Sequence, residues 1–147
     1  MEGSLNAKHC IKFIEFNARF GDPESLNILN AIETPFKELF ENIQNQTLSN
    51  ENCTFKKINT FTVYIVTPTY AISSSKEPMK FTLNRENIEK QGVKIYFAST
   101  KQNEGNNYES VGNSRLFVAV TTDTSMEEAK KRVYKALERK YRFKFAL

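Results

Sequence analysis

Residues 14 to 25, IEFNARFGDPES, concentrate oxygen-bearing side chains and a guanidinium in one short stretch. Glu15, Asn17 and Arg19 are two residues apart, so on an extended strand they share one face, with successive side chains about 7 Å apart. A carboxylate and an amide oxygen are hard ligands of the kind that Mg²⁺ binds together with water and substrate phosphates. Arg19 can hold a phosphate or carboxylate through two parallel hydrogen bonds. The stretch therefore predicts half of a site for a metal-bound phosphate and an anionic substrate.

The same residues also have plain structural interpretations. Asp22 suits the N-cap of a helix that has Pro23 at its first position and runs to about Ile32. The free amides at the start of that helix would favour an anion nearby. Glu15 and Asn17, taken alone on a strand, are of types that are more often exposed polar residues than metal ligands. Spacing by itself leaves these alternatives open.

The elements around this stretch are predicted from hydrophobic periodicity. KHCIKFIEFNARF is typical of a strand, and Thr34-Pro35 begins a second, amphipathic helix. The polar segment NQTLSNENC predicts a boundary near residue 50. Beyond it, strands are predicted in FKKINTFTVYIVT, VKIYFAS and RLFVAVTT, with a hairpin or loop between the last two and a short helix ending at Gly92. Thr124 and Glu127 predict a capping box for the last helix, and RKYRFKFAL a closing strand.

This order defines an α+β chain in two parts. Residues 1–50 form a strand plus two helices, and residues 51–147 form a small mixed sheet with helices packed on it. The chain of 147 residues is long enough for a sizeable core and has no apolar run of the roughly 20 residues that a membrane helix needs. It also lacks a signal-peptide pattern. We therefore expect a cytoplasmic protein with no membrane partner, in which Cys10 and Cys53 are free thiols, with a single disulfide as the alternative.

The net charge of +4 comes mainly from the basic segment KKRVYKALERKYRFK. Basic residues there alternate with Glu and apolar residues, which is typical of a solvated helix face. Attraction to a phosphorylated small molecule or to nucleic acid is the alternative. No aromatic platform is interleaved with the basic residues, so we expect no nucleic-acid partner.

IEFNARFGDPE resembles the signature of glycinamide ribonucleotide synthetase, also called phosphoribosylamine–glycine ligase, an ATP-grasp enzyme of purine synthesis. GVKIYFASTK, a polar loop and SRLFVAVTTDTSMEEAKKRVYKALE resemble the C-terminal domain of that family in order, spacing and residue type. The resemblance covers nearly the whole chain. It implies that residues 1–50 are the end of an ATP-grasp catalytic domain and residues 51–147 the family's C-terminal domain.

The resemblance also implies roles for individual residues. Glu15 and Asn17 match the positions that bind the Mg²⁺ (or Mn²⁺) bridging the ATP phosphates. The family reaction activates glycine as an acyl phosphate, which the amine of phosphoribosylamine then attacks. Arg19 and Asp22 match the catalytic positions, and Arg19 to Asp22, with Gly21 between them, would lie beside the two substrates.

The C-terminal part departs from the family pattern in its loops. A Gly-Gly-Arg segment of the family appears here as Asn113-Ser114-Arg115, and Arg115 is a candidate for a phosphate contact. A lysine-bearing lid and a further acidic ligand of the family would precede the signature. The resemblance therefore predicts that the missing N-terminal part of the ligase, or self-association, completes the site, and that this chain alone is inactive. The alternative is a binding or assembly module that has kept the fold and lost the reaction.

Overall fold

The computed structural model describes residues 2–6, 9–12, 14, 18–70, 78–138 and 144–146. Its side chains are described for residues 14, 18–70 and 78–137. The helices are α1 Glu24–Ala31, α2 Phe36–Gln44, α3 Arg85–Glu89 and α4 Met126–Glu138. The strands are β1 Glu2–Asn6, β2 His9–Lys12, β3 Asn59–Val66, β4 Lys80–Thr82, β5 Lys94–Phe97, β6 Thr100–Gln102, β7 Asn107–Ser110, β8 Arg115–Asp123 and β9 Lys144–Ala146.

The core lies between a four-stranded sheet and α4. The strand order is β5-β8-β3-β9, and β3 and β8 pair along nearly their full length, with Val63 opposite Ala119. Both strands are rich in β-branched and aromatic residues, which pack well on a pleated surface. α4 presents a stripe at helical spacing to the core. The buried residues of this stripe are Ala129, Val133, Ala136 and Leu137.

A second sheet, of order β4-β7-β6, closes over the aromatic end of the core. The hairpin predicted between the last two strands is confirmed: β6 and β7 are joined by a turn in which Gly105 has φ +60°. The rings of Phe97 and Tyr108 stack with centroids 4.7 Å apart, and Phe117 lies within 6.3 Å of the Phe97 ring. These aromatic contacts bring the two sheets together.

Two expectations about the strands need correction, and one strand was missed. The expected mixed sheet is antiparallel in every pairing that the structure describes. The first strand was predicted to extend through Phe20, but Ala18 and Arg19 form a bend. β1, which pairs with β2, was not predicted at all, because EGSLN carries no alternation of apolar and polar residues. The ATP-grasp assignment and the boundary near residue 50 stay predictions.

The helices begin where the sequence indicates, but with different caps. Pro23 and Pro35 occupy the N-cap positions of α1 and α2, and neither helix has a side-chain cap. Thr34 instead accepts a hydrogen bond from the Thr54 amide at 2.8 Å. In front of α4 the cap is Ser125, whose Oγ accepts from the Glu128 amide at 3.4 Å, so the predicted Thr124–Glu127 box is wrong by one residue.

α1 is attached to the central sheet by polar side chains. Thr62 Oγ1 on β3 donates to Asn27 Oδ1 at 2.5 Å. Lys94 Nζ on β5 donates to Asn30 Oδ1 at 2.8 Å. These bonds hold the middle and the C-terminal end of α1 on the sheet.

Candidate substrate cleft

The turn before α1 and the start of β8 enclose an open cleft of about 740 Å³. Four residues proposed from the sequence lie together in it, although Arg115 is remote in the chain from the other three. Glu15 and Asn17 lie outside the described residues. The cleft is lined by Arg19, Phe20, Gly21, Asp22, Glu24, Ser25 and Arg115.

Asp22 is held by the sheet, and the expectation that it caps α1 is wrong. Its Oδ2 atom lies 3.0 Å from Nη1 of Arg115. Its Oδ1 atom accepts a hydrogen bond from the Tyr64 hydroxyl. Both carboxylate oxygens therefore bind residues of β3 and β8, so the turn is bound to the two central strands of the sheet.

Arg115 and Tyr64 also contact each other. The guanidinium carbon of Arg115 lies 4.5 Å from the centroid of the Tyr64 ring, within range of a cation–π interaction. The side chains of Arg115 and Asp22 are 36% and 47% exposed, so solutes can reach the ion pair from the cleft. Tyr64, Asp22 and Arg115 thus form a closed triangle on the cleft wall.

Tyr64 was missed in the sequence, although a signal for it existed. Val63 and Ile65 are buried, so the two-residue period puts Tyr64 on the opposite face of β3. Burial, followed by the hydrogen bond to Asp22 and the charge of that carboxylate, raises the pKa of Tyr64 to about 12. The hydroxyl therefore stays protonated at neutral pH and acts as a donor.

Arg19 and Glu24 are the charged residues of the cleft that make no ion pair within the described part of the chain. Arg19 Nη1 donates to the carbonyl of Phe20 at 2.8 Å, which leaves the other guanidinium donors for a ligand. The Glu24 carboxylate lies against Gly21 so closely that a Cβ at position 21 would collide with it. Gly21 therefore makes room for the Glu24 side chain.

The loops beside Arg115 are joined by hydrogen bonds of Asn113. Its Nδ2 atom donates to the carbonyl of Thr69 at 2.7 Å, and its Oδ1 atom accepts from the Thr69 hydroxyl at 2.9 Å. The Thr67 hydroxyl also donates to Asn113 Oδ1. Through these hydrogen bonds the Asn113 side chain connects the two loops.

The donor set in the cleft suits an anion better than a metal. Two guanidinium groups can bind phosphate or carboxylate oxygens, and one of them is already paired with Asp22. Within the described residues, no group of three or more acidic, His or Cys side chains converges. The Mg²⁺ roles of Glu15 and Asn17, which lie outside the described residues, stay predictions. No described helix is long and apolar enough to cross a membrane.

Together, the fold and the cleft define an α+β protein with an exposed, charged cleft beside the two central strands of an antiparallel sheet. No protein-family model matches the chain. Curated relatives do: phosphoribosylamine–glycine ligases of Methanococcus vannielii (35% identity over 120 residues) and Methanocaldococcus jannaschii (34% over 121) each match 82% of the chain. The ligase of Thermococcus gammatolerans is 33% identical over 80% of the chain.

The chain is therefore homologous to the phosphoribosylamine–glycine ligases. It spans about a quarter of their length, 26% for the first two relatives and 25% for the third. This fraction fits the resemblance to the C-terminal part of such a ligase.

Proposed function

We propose that this chain supplies the C-terminal part of a cytoplasmic, ATP-dependent ligase that joins glycine to 5-phosphoribosylamine. The observation that carries the proposal is the cleft, in which Arg19, Gly21, Asp22 and Arg115 lie together. The packing of the core does not require a cleft in which charged side chains from two distant segments of the chain meet. The homology to the ligases supports the reaction class.

In this proposal Glu15 and Asn17 hold Mg²⁺, or Mn²⁺, on the nucleotide. The ion, when bound, neutralises phosphate oxygens and orients them for transfer. ATP is a co-substrate and not a resident group. The remaining part of the ligase would cover the other side of the nucleotide, so we expect the chain by itself to be inactive.

The described residues then act on the substrates. Arg19 binds the negative charge that builds up on the reacting oxygens, where a fixed guanidinium stabilises the transition state more than the ground state. Until a substrate enters, Asp22 holds the turn through its bonds to Tyr64 and Arg115. Arg115 contributes a positive charge for a substrate phosphate at the far side of the cleft.

A chimeric ligase tests the proposal. In it, the present chain replaces the matched stretch of the M. vannielii ligase, and formation of glycinamide ribonucleotide is measured. We expect Mg²⁺-dependent product, and a loss of roughly tenfold or more in kcat/KM on Arg19→Gln, as for removal of a preorganised donor.

The matched control is Arg85→Gln. Arg85 is half-exposed, pairs with Glu89 at 2.8 Å on α3, and does not line the cleft. Its replacement should leave kcat/KM unchanged. A chimera that is folded by circular dichroism and yet makes no product contradicts the proposal.

A second candidate function, a non-catalytic assembly module, is favoured by α2. No residue of this helix is buried, and Phe40 and Ile43 are 63% and 51% exposed. The rings of Phe36 and Phe40 lie 6.0 Å apart on this surface. An exposed apolar helix face of this kind is typical of a surface that a partner covers.

Sedimentation of the isolated chain separates the candidates when it is read together with the activity of the chimera. A module that assembles through α2 would self-associate, and Phe40→Ser would return it to a monomer. Assembly without any ligation by the chimera would favour the module over the ligase.

A further inference from the structure

Tyr64 and Arg115 present two hydrogen-bond donors to one carboxylate. The hydroxyl of Tyr64 and the Nη1 atom of Arg115 contact different oxygens of Asp22. A hydroxyl and a guanidinium that converge in this way would bind a phosphate or carboxylate of a ligand equally well, because charge-assisted bonds to oxyanions are the strongest that these groups make.

We propose that Tyr64 and Arg115 form an anion-binding pair of which Asp22 is the internal occupant, so that an anionic ligand entering the cleft competes with Asp22 for the pair. The inference rests on the proposed function only for the identity of the ligand, which would there be a substrate phosphate or carboxylate. The competition itself follows from the contacts.

Several features make the exchange accessible. Arg115 lines the cleft and its side chain is 36% exposed, so an anion reaches it without unfolding. The ion pair with Asp22 is half-exposed, and pairs of this kind are weak because water screens them. The Tyr64 ring below the guanidinium keeps Arg115 at the cleft wall when Asp22 is displaced.

The competition predicts an unusual sign. If Asp22 only supported the groups that bind the anion, Asp22→Asn would weaken anion binding or leave it unchanged. If Asp22 occupies the anion site, Asp22→Asn removes the competitor and tightens the binding of an anion.

The experiment measures the affinity of the full chain for inorganic phosphate by calorimetry at constant ionic strength. We expect Asp22→Asn to tighten binding about two- to fivefold, the range that corresponds to an exposed ion pair. Adding Tyr64→Phe to Asp22→Asn should reverse part of this gain, because the ring stays under Arg115 while the donor is lost.

Two controls distinguish competition from a general change of charge. Glu24→Gln removes the same charge from the same cleft, but Glu24 makes no ion pair with Arg115. It should tighten binding less than Asp22→Asn does. In an Arg115→Gln background, Asp22→Asn should change the affinity less than twofold.

Each variant is first compared with the parent chain by thermal unfolding, so that a folding defect is recognised. The proposal is overturned if Asp22→Asn leaves the affinity unchanged or lowers it. An equal gain from Glu24→Gln, or an undiminished gain without Arg115, overturns it as well. These outcomes are independent of the chimera: a chimera without ligase activity removes the proposed function, whereas phosphate titrations without competition remove this inference alone.

Discussion

The β3–β8–α4 core and the cleft both include residues of β3 and β8, but they differ in burial and in charge. In the core, Ile65, Leu116, Phe117 and Val133 are fully buried. Within the described residues, no buried side-chain polar atom lacks a hydrogen-bond partner. In the cleft, by contrast, four charged side chains surround an open space, and Phe20 is 56% exposed beside them.

The difference shows which part of the molecule carries stability and which carries binding. Burial of apolar area stabilises the core, whereas the exposed charges of the cleft add little to the folding free energy. Residues on one strand can thus lie in either region: Phe117 is in the core, whereas Arg115, across the register shift between Ile65 and Val66, lines the cleft.

The largest effect should come from Phe117→Ala. Phe117 is fully buried and lies 6.0 Å from the Phe81 ring and 6.3 Å from the Phe97 ring, so truncation leaves a cavity. We expect a loss of about 3–5 kcal/mol in the free energy of unfolding, measured by urea titration. Val111→Ala, at a residue 59% exposed, is the control and should stay within about 0.5 kcal/mol of the parent. Equal losses in the two variants would contradict the assignment of the core.

The next largest effect is a pH dependence of the folding stability, which arises from the Tyr64 hydroxyl beside the cleft. Tyr64 has its pKa raised from 10.0 to about 12, first by burial and then by the bond to Asp22. The folded chain therefore holds this proton more tightly than the unfolded chain. Its contribution to stability is complete below about pH 10 and is lost as the pH rises through 12. Ultraviolet titration of tyrosinate, with Tyr64→Phe subtracted to remove the other tyrosines, should show the late titration. A Tyr64 that titrates near 10 contradicts the hydrogen bond.

Arg115→Gln should separate binding from stability. The ion pair with Asp22 is about half exposed, so its removal should cost less than about 1 kcal/mol of unfolding free energy. The affinity for inorganic phosphate should nevertheless fall, because one of the two guanidinium groups of the cleft is gone. A variant that unfolds like Phe117→Ala would place Arg115 in the core and contradict the comparison.

The smallest effect is expected from Gly21→Ala. Gly21 does not have a positive φ, and the atom nearest to an added methyl is the flexible carboxylate of Glu24, which can move aside. We expect the unfolding free energy to stay within about 0.5 kcal/mol of the parent. Side-chain NMR shifts of Glu24 should change, whereas those of Arg132, on α4, should not. A loss above about 1 kcal/mol would mean that the backbone itself must shift.

The core was predictable because its signals are local. Period-two burial in β3, the helical stripe of α4 and the φ of +79° at Gly92 all follow from neighbouring residues. Errors occurred where a tertiary bond competed with a local one. Asp22 is a good cap by type, but Arg115 and Tyr64 bind it instead.

The cleft could be predicted only in part. Arg19, Gly21 and Asp22 adjoin in sequence, and a family resemblance pointed to them and to Arg115. The triangle of Asp22, Tyr64 and Arg115 could not be predicted, because it depends on the register of β3 and β8, which places Tyr64 opposite Val118. The metal roles of Glu15 and Asn17 remain predictions from the resemblance.

The most direct test of the account is the Mg²⁺ requirement of the chimeric ligase with and without Glu15→Gln. The account predicts that the Mg²⁺ concentration for half-maximal glycinamide ribonucleotide formation rises by at least the roughly tenfold that the loss of even an outer-shell partner costs. An unchanged Mg²⁺ requirement, with the parent's rate retained, would show that Glu15 does not hold the metal and would contradict the proposed ligase site.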